Sequence, residues 1–382
     1  MHGLTLVGTT GTTPNRDIAI WSVLSDGTAN TSFNTTGKMT IDFGGDDVAA
    51  SIAFDGGTGD YFVAATTGAI GSRNFALARV NNNGTLDTAF DTDGKRIFDF
   101  NGDDVAADLA VQTNGRVVMV GSNFVGNNAD FAAIRLTNIG VLDTSFSDDG
   151  KMNVTFGSED TATSVVLDSN NNIIIGGFTN VNLFSTGNDF AVARVTTAGV
   201  LDTTFSTDGK TTVDIDQNSL DFAWDVAVYP NTDATNAGRI VVAGHSGSGL
   251  DDFAMVRFEV DGRLDNTFSG DGKANISFGI SEDFGRAIIL DNTGRMYVIG
   301  YTNNLDGVTS TAGGNDIGIL RLTPTGALDT TFDTDGRKTV DINNSNDQAI
   351  SAFLDSQFGS DLFIGSTIVN NSSDFAVTRI EE

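Results

Sequence analysis

Aspartate is the most abundant chemically active residue in this sequence, since all but five of the 50 acidic residues are Asp. One set of aspartates precedes a short apolar run in each period of the chain. Its members are Asp47, Asp104, Asp160, Asp221, Asp283 and Asp347. Asp carboxylates bind Ca²⁺, and they also cap backbone amides in turns. These six residues are our candidate metal ligands. Ca²⁺ is the one predicted cofactor, and a role as solvated turn residues is the alternative.

A second set of candidates consists of aromatic and histidine side chains beside segments of variable length. Variable loops on a rigid scaffold commonly carry binding sites. The predicted ligand-binding residues are His245, Tyr301, Phe178 and Phe184. Trp224 is an unusual aromatic residue in a nearby strand-like run. The alternative interpretation is that these rings only fill the core.

No residue pattern indicates catalysis. The two histidines, His2 and His245, lack the spacing of metal ligands, and the absence of Cys excludes thiolate chemistry. Carboxylates are so numerous that a glycosidase pair cannot be chosen without distances. We therefore predict no catalytic residue. Whether the chain is an enzyme stays open, and a non-enzymatic role is favoured.

Composition restricts the partners and the location. The 21 basic and 50 acidic residues give a formal net charge of −29, which argues against nucleic-acid binding. No apolar run reaches the roughly 18 residues that membrane insertion requires. An Asp-rich, Lys-poor chain without Cys is typical of bacterial secreted or cell-surface proteins. Met1–Val7 lacks signal-peptide features, so we expect a signal or upstream segment that is not present in this chain.

A repeat organises all of these candidates. The segment LDTTFSTDGK at Leu201–Lys210 recurs along the chain with modest changes. Its anchor phenylalanines are Phe33, Phe90, Phe146, Phe205, Phe268 and Phe332, spaced by 57, 56, 59, 63 and 64 residues. Each period contains four short runs rich in β-branched and aromatic residues, which we name strands A to D in chain order.

Four short antiparallel strands per period of roughly 60 residues are typical of a β-propeller. The runs begin at a strand B and end at a strand C, which predicts seven blades with strand A missing from the first and strand D from the last. We therefore predict an all-β, seven-bladed β-propeller that forms a single domain over residues 1–382. Incomplete blades leave open strand edges, so self-association through these edges is a further expectation.

An arginine recurs in strand C, at Arg79, Arg135, Arg194, Arg257, Arg321 and Arg379. A charge inside a strand needs a partner, and Arg offers a planar fork that suits a carboxylate. The Asp of each Leu-Asp pair, such as Asp202, is the expected partner. We predict that these arginines are structural.

The motifs DFAVARV at Asp189–Val195 and LDTTFSTDGK at Leu201–Lys210 resemble the delta-60 repeat family, a bacterial β-propeller repeat. The resemblance covers essentially the whole chain. It implies an extracellular or cell-envelope location and no particular activity. The first repeat departs from the pattern, since Ser22 stands where later copies have Arg.

Three functions remain open from the sequence. The favoured one is a secreted or surface-displayed structural or binding module, with a polysaccharide or another surface protein as partner. The second is a Ca²⁺-dependent carbohydrate-binding propeller. The third is a polysaccharide-active enzyme with a carboxylate pair on the loop face.

Overall fold

A computed structural model describes residues 3–126, 128–157, 159–180, 187–216, 219–280, 282–303, 314–342, 345–355, 361–369 and 373–381. Within these ranges every regular element is a β-strand. The chain divides into two compact units: unit 1 is 1–167 with 195–200, and unit 2 is 168–194 with 201–382. Each unit is described by itself, and the single domain over 1–382 stays a prediction.

The strands form where the sequence is β-branched, aromatic and small. The segment DFAVARV illustrates this, because Phe190 to Val195 are all buried. Alternation of apolar and polar residues is absent because both faces of such a strand are covered. Only three prolines occur in the chain, so few ladder hydrogen bonds are lost.

Unit 1 contains the first three sheets and β12. Its strands are β1(Gly3–Thr12), β2(Asn15–Leu24), β3(Lys38–Ile41), β4(Val48–Asp55), β5(Asp60–Thr67), β6(Asn74–Val80), β7(Lys95–Phe98), β8(Asp103–Val111), β9(Val117–Val125), β10(Asn128–Leu136), β11(Lys151–Val154) and β12(Asp160–Leu167). The sheets have the orders β1-β2-β3, β4-β5-β6-β7 and β8-β9-β10-β11.

Unit 2 contains the remaining strands. They are β13(Ile173–Thr179), β14(Asp189–Val195), β15(Lys210–Val213), β16(Leu220–Val228), β17(Ile240–Gly247), β18(Asp252–Phe258), β19(Lys273–Ile276), β20(Asp283–Leu290), β21(Met296–Asn303), β22(Asn315–Leu322), β23(Arg337–Val340), β24(Asn346–Asp355), β25(Asp361–Val369) and β26(Ser373–Ile380). Further sheet orders are β12-β13-β14-β15, β16-β17-β18-β19, β20-β21-β22-β23 and β24-β25-β26.

The sheet orders confirm the predicted fold class. Seven antiparallel sheets follow one another along the chain, and the strands of each sheet neighbour one another in chain order. The first sheet has strands B, C and D, and the last has strands A, B and C. The chain is therefore a seven-bladed β-propeller with incomplete first and last blades. The described residues include no helix that is long and apolar enough to cross a membrane.

Adjacent sheets approach closely where strand B carries glycine. A Cβ built on Gly121 of β9 would lie 2.0 Å from the carbonyl oxygen of Val105 and 2.8 Å from the ring of Phe75. Val105 belongs to the same sheet and Phe75 to the preceding sheet of unit 1, so a larger side chain at this position would clash with both.

The anchor phenylalanines and the recurring arginines form one structural device. Arg194 Nε lies 2.8 Å from Asp202, and its guanidinium carbon lies 5.0 Å from the ring centre of Phe205. Arg194 Nη1 also donates to the carbonyl of Val260, 66 residues further along the chain.

Three more arginines make the same long-range bond. Arg79, Arg135 and Arg257 donate to the carbonyls of Asn138, Thr197 and Pro324, which lie 59, 62 and 67 residues further along the chain. The predicted carboxylate contacts of Arg135, Arg194 and Arg257 are therefore confirmed, and each of the three also bonds to a backbone carbonyl.

Candidate ligand-binding site

The six candidate metal ligands occupy one repeat position, at the start of strand A. All six side chains are fully buried. In the first five, one carboxylate oxygen accepts a hydrogen bond from an amide four to six residues earlier, as in Phe43 to Asp47 at 2.7 Å. Asp347 accepts such a bond from Ile342. Burial raises the pKa of Asp104 to about 6. Each of these bonds thus connects the end of strand D of one sheet with the start of strand A of the next.

Carboxylates gather around three of these aspartates. The groups are Asp17, Asp42 and Asp47; Asp189, Asp214 and Asp221; and Asp316, Asp341 and Asp347. Within each group the three oxygens lie within 4.8 Å of one another. Burial, with Asp214 and Asp221 nearby, raises the pKa of Asp189 to about 6.

The other three sheets have an uncharged residue at one of the corresponding positions. Asn74 begins β6, and Thr155 and Ser277 follow β11 and β19. The corresponding groups around Asp104, Asp160 and Asp283 therefore contain at most two carboxylates each. Oxygen groups of this kind suit a hard cation such as Ca²⁺.

A hydroxyl near the end of strand B links neighbouring sheets in unit 1. The hydroxyl oxygens of Thr9, Thr66 and Ser122 accept hydrogen bonds from the amides of Ala49, Ala106 and Ala162, at 3.0, 2.9 and 3.1 Å. These amides belong to strand A of the next sheet. A small polar side chain is therefore sufficient at this repeat position.

Aromatic rings replace the hydroxyl on three strands of unit 2, whereas β25 has Thr367 at this position. The equivalent positions on β13, β17 and β21 are Phe178, His245 and Tyr301. These three join further side chains of β16 and β20 in what we name the Trp224 cluster. Its members are Phe178, Phe222, Trp224, His245, Phe284, Arg286 and Tyr301.

The rings of the Trp224 cluster are in continuous contact. Phe222 lies 4.9 Å from Phe178 and 5.2 Å from His245 between ring centres. Phe284 lies 4.9 Å from both His245 and Tyr301. His245 and Tyr301 are buried, whereas the other members of the cluster are half-buried. The cluster therefore presents partly exposed rings above two buried polar rings.

Two β-bulges determine which side chains complete the cluster. The strand register shifts between Ala223 and Asp225 and again between Gly285 and Ala287, so Trp224 and Arg286 are the extra residues. A bulge redirects the side chain that it carries. The guanidinium carbon of Arg286 lies 4.0 Å from the ring centre of Trp224. Arg286 also donates to the hydroxyl of Tyr301 at 3.1 Å.

Arg286 differs from the other arginines in its charge partners. Among the residues that the structure describes, it is the one arginine without a carboxylate within salt-bridge distance. Arg295, nine residues later, lies 2.6 Å from Asp291. The Trp224 cluster thus carries an uncompensated positive charge in a chain of net charge −29.

His245 is neutral in this environment. Burial lowers its pKa to about 3, and the charge of Arg286 acts in the same direction. The indole Nε1 of Trp224 donates to His245 Nδ1 at 3.2 Å, which leaves the imidazole proton on Nε2. With so low a pKa, His245 is a poor proton acceptor near neutral pH. It orients the indole and packs against the half-buried rings of Phe222 and Phe284.

Three of the four predicted ligand-binding residues, Phe178, His245 and Tyr301, converge in one cluster, and Phe184 lies outside the described residues. Sequence reasoning missed Arg286. The signal was its repeat position, three residues after the buried Asp. The residues there are Ala50, Ala107, Thr163, Trp224, Arg286 and Ile350.

The fold and the repeat define a class, that of the β-propeller repeat proteins. Five segments match the family model "Domain of unknown function (DUF5122) beta-propeller", at residues 58–90, 112–146, 169–205, 238–268 and 292–332. Each segment ends at an anchor phenylalanine, so the matches follow the repeat. The repeated segments of the chain are therefore similar to this β-propeller family.

Solved structures resemble the chain in fold alone. An ulvan lyase of polysaccharide lyase family PL25, bound to -[GlcA(1-4)Rha3S]-, is 12% identical with a TM-score of 0.52, covering 96% of this chain and 87% of that one. A protein of unknown function from Dyadobacter fermentans DSM 18053 is 10% identical with a TM-score of 0.50, covering 87% and 93%. No curated protein sequence matches the chain.

Proposed function

We propose that this protein is a secreted or cell-surface binding module without catalytic activity, whose ligand contacts the Trp224 cluster. The observation that carries the proposal is the change at one repeat position. Thr66 and Ser122 satisfy the neighbouring amide in unit 1, whereas unit 2 has His245 and Tyr301 there. A hydroxyl is sufficient for the contact between sheets at this position, so aromatic rings are not needed there for the fold. The half-buried aromatic surface that His245 and Tyr301 support is therefore available for binding.

A polysaccharide is the favoured partner, and another surface protein is the alternative. The C–H face of a sugar ring packs well on an aromatic ring, and the half-buried rings of Phe178, Phe222, Trp224 and Phe284 are the proposed contacts. The low pKa of His245 supports a role in binding over one in proton transfer. The repeat is proposed to be the delta-60 repeat, whose family resemblance implies the same location.

The test compares Trp224→Ala with Ile350→Ala on a panel of immobilised acidic and neutral polysaccharides. Ile350 is the bulge residue of β24 and is 58% exposed, so it is a matched control. Binding should fall at least about tenfold in Trp224→Ala, equivalent to about 1.4 kcal/mol, and persist in Ile350→Ala. Equal binding by both variants would contradict the proposed site. Protease treatment of intact cells tests the location, since a surface protein should be cleaved without lysis.

The alternative function is Ca²⁺-dependent binding, and the three carboxylate groups favour it. We expect these groups to bind three Ca²⁺ ions per chain and to raise the melting temperature, because ligands of the folded state stabilise it. Asp214→Asn should reduce the stoichiometry to two. Asp99→Asn is the matched control, since Asn74 already leaves that sheet with two carboxylates. An unchanged melting temperature in Ca²⁺ and in EDTA would rule the alternative out.

Self-association through the open strand edges is a separate proposal about partners. In the described structure β1 pairs with β2, β26 pairs with β25, and each lies at the edge of a three-stranded sheet. Unpaired edges recruit strands from other chains. Light scattering should show a mass that rises with protein concentration. A constant monomer mass of about 40.0 kDa would contradict this proposal.

A further inference from the structure

We propose that the ligand of the Trp224 cluster carries a uronate, a sugar ring with a carboxylate, and that Arg286 pairs with that carboxylate. The inference rests on the proposed function and adds the chemical class of the ligand. The sugar face packs against the half-buried rings of the cluster, and the guanidinium of Arg286 receives the carboxylate through two parallel hydrogen bonds.

The uncompensated charge of Arg286 is the first argument. Acidic residues outnumber basic ones by 50 to 21, and every other arginine in the described ranges has a carboxylate partner. Arg286 instead replaces Ala50 and Ala107 of the equivalent strands. A half-buried guanidinium without a protein carboxylate is suited to an anionic partner from outside.

The way Arg286 is held is the second argument. Its guanidinium lies 4.0 Å from the ring centre of Trp224 and 5.5 Å from that of Tyr301. One N–H bonds to the Tyr301 hydroxyl, and the remaining donors have no protein acceptor among the described residues. Two rings and one hydrogen bond fix the planar group before any ligand arrives. Binding of a ligand carboxylate therefore costs little additional side-chain entropy at Arg286.

The surrounding charge selects among anions. His245 is neutral because burial lowers its pKa to about 3, so Arg286 supplies the one positive charge of the cluster. A doubly charged phosphate would need more than one cation in a protein of net charge −29. A planar carboxylate with one charge matches one guanidinium. The adjacent rings favour an anion attached to an apolar face, as in a pyranose.

The experiment uses pairs of ligands that differ only in charge. Oligomers of galacturonate, glucuronate, mannuronate and guluronate are titrated by calorimetry as free acids and as methyl esters. A third set of ligands consists of oligomers without carboxylates that carry sulfate groups instead. The wild type should bind one free acid about tenfold more tightly than its ester. Arg286→Ala, which restores the residue of the equivalent strands, should remove this preference and keep the weaker ester binding.

Two further variants separate the guanidinium from charge in general. Arg286→Lys keeps the charge without the planar fork and should recover only part of the preference. Arg263→Ala removes an arginine whose side chain is 78% exposed and should leave the preference intact. Equal binding of acid and ester by the wild type would overturn the uronate assignment while the binding function stands. A preference for the sulfated oligomers would overturn it too. Absence of any Trp224-dependent sugar binding would overturn the uronate assignment and count against the sugar-binding form of the proposed function.

Discussion

In unit 1, Thr66 on β5 accepts a hydrogen bond from the amide of Ala106, while in unit 2 His245 occupies the equivalent position on β17. His245 also bonds to the backbone of Gly285, the residue equivalent to Ala106. The histidine thus also contacts the next sheet, as a donor where Thr66 is an acceptor, and adds a ring that packs against Phe222 and Phe284. Because the fold requires only one polar group at this position, a larger side chain there can also take part in binding.

The largest expected effect separates two arginines of unit 2. Arg257 and its partner Asp265 are almost fully buried, with Nε 2.6 Å from the carboxylate. Arg257→Ala therefore removes the shorter of the two ion pairs of a buried carboxylate and leaves only Arg239 Nε, at 3.3 Å. We expect a loss of about 3–5 kcal/mol in the free energy of unfolding. Arg286→Ala, at a half-buried site without an ion pair, should cost less than about 1 kcal/mol. Urea denaturation of both variants measures the difference. Equal losses would contradict the assignment of a structural role to Arg257 and a binding role to Arg286.

The next effect depends on pH. The pKa of His245 is about 3 in the folded protein and near 6.5 in the unfolded chain, so between these values only the unfolded state takes up the proton. Acidification from pH 7 to pH 4 should therefore destabilise the wild type relative to His245→Thr, by about 3 kcal/mol.

Buried carboxylates with raised pKa values, such as Asp189, act in the opposite direction, but they are present in both proteins. The difference between the two denaturation series isolates the histidine. Parallel pH profiles would show that His245 is not buried as a neutral base.

A smaller effect is expected at the hydroxyl position of unit 1. Thr66→Val keeps the shape of the side chain but leaves the buried amide of Ala106 without an acceptor. The cost should be about 1–3 kcal/mol. Thr66→Ser keeps the hydroxyl and should remain within about 1 kcal/mol of the wild type. If valine were tolerated as well as serine, the hydroxyl would not be the link between sheets.

The smallest effect concerns the carboxylate groups. Ser277→Asp places a third carboxylate beside Asp252 and Asp283, at the positions that Asp189, Asp214 and Asp221 occupy one sheet earlier. Without Ca²⁺ the added repulsion should cost about 1 kcal/mol. With Ca²⁺ the variant should regain this stability and bind one additional ion, whereas Ser277→Asn should do neither. Thermal melting in EDTA and in Ca²⁺ measures both outcomes.

The fold was predictable because the repeat motif recurs in several copies along the sequence. Phe205 and Arg194 recur with their neighbours at a nearly constant period, so the strands and the buried pairs follow from pattern alone. Strand A was the exception, because its bulges change which residue faces outward between Ala223 and Asp225. For that reason Trp224 was noticed only as an unusual residue and Arg286 not at all.

The long-range bonds of the strand C arginines bear on how such a chain can grow. Arg79, Arg135, Arg194 and Arg257 each reach a carbonyl about one period ahead, from 59 to 67 residues away. A gene duplication or deletion of one whole period gives each of these four arginines a carbonyl acceptor again, wherever in the period the cut falls. A fragment shorter than a period leaves an arginine facing the wrong backbone. The hydrogen bond thus favours duplication or deletion of about one whole period, whichever residues form the endpoints.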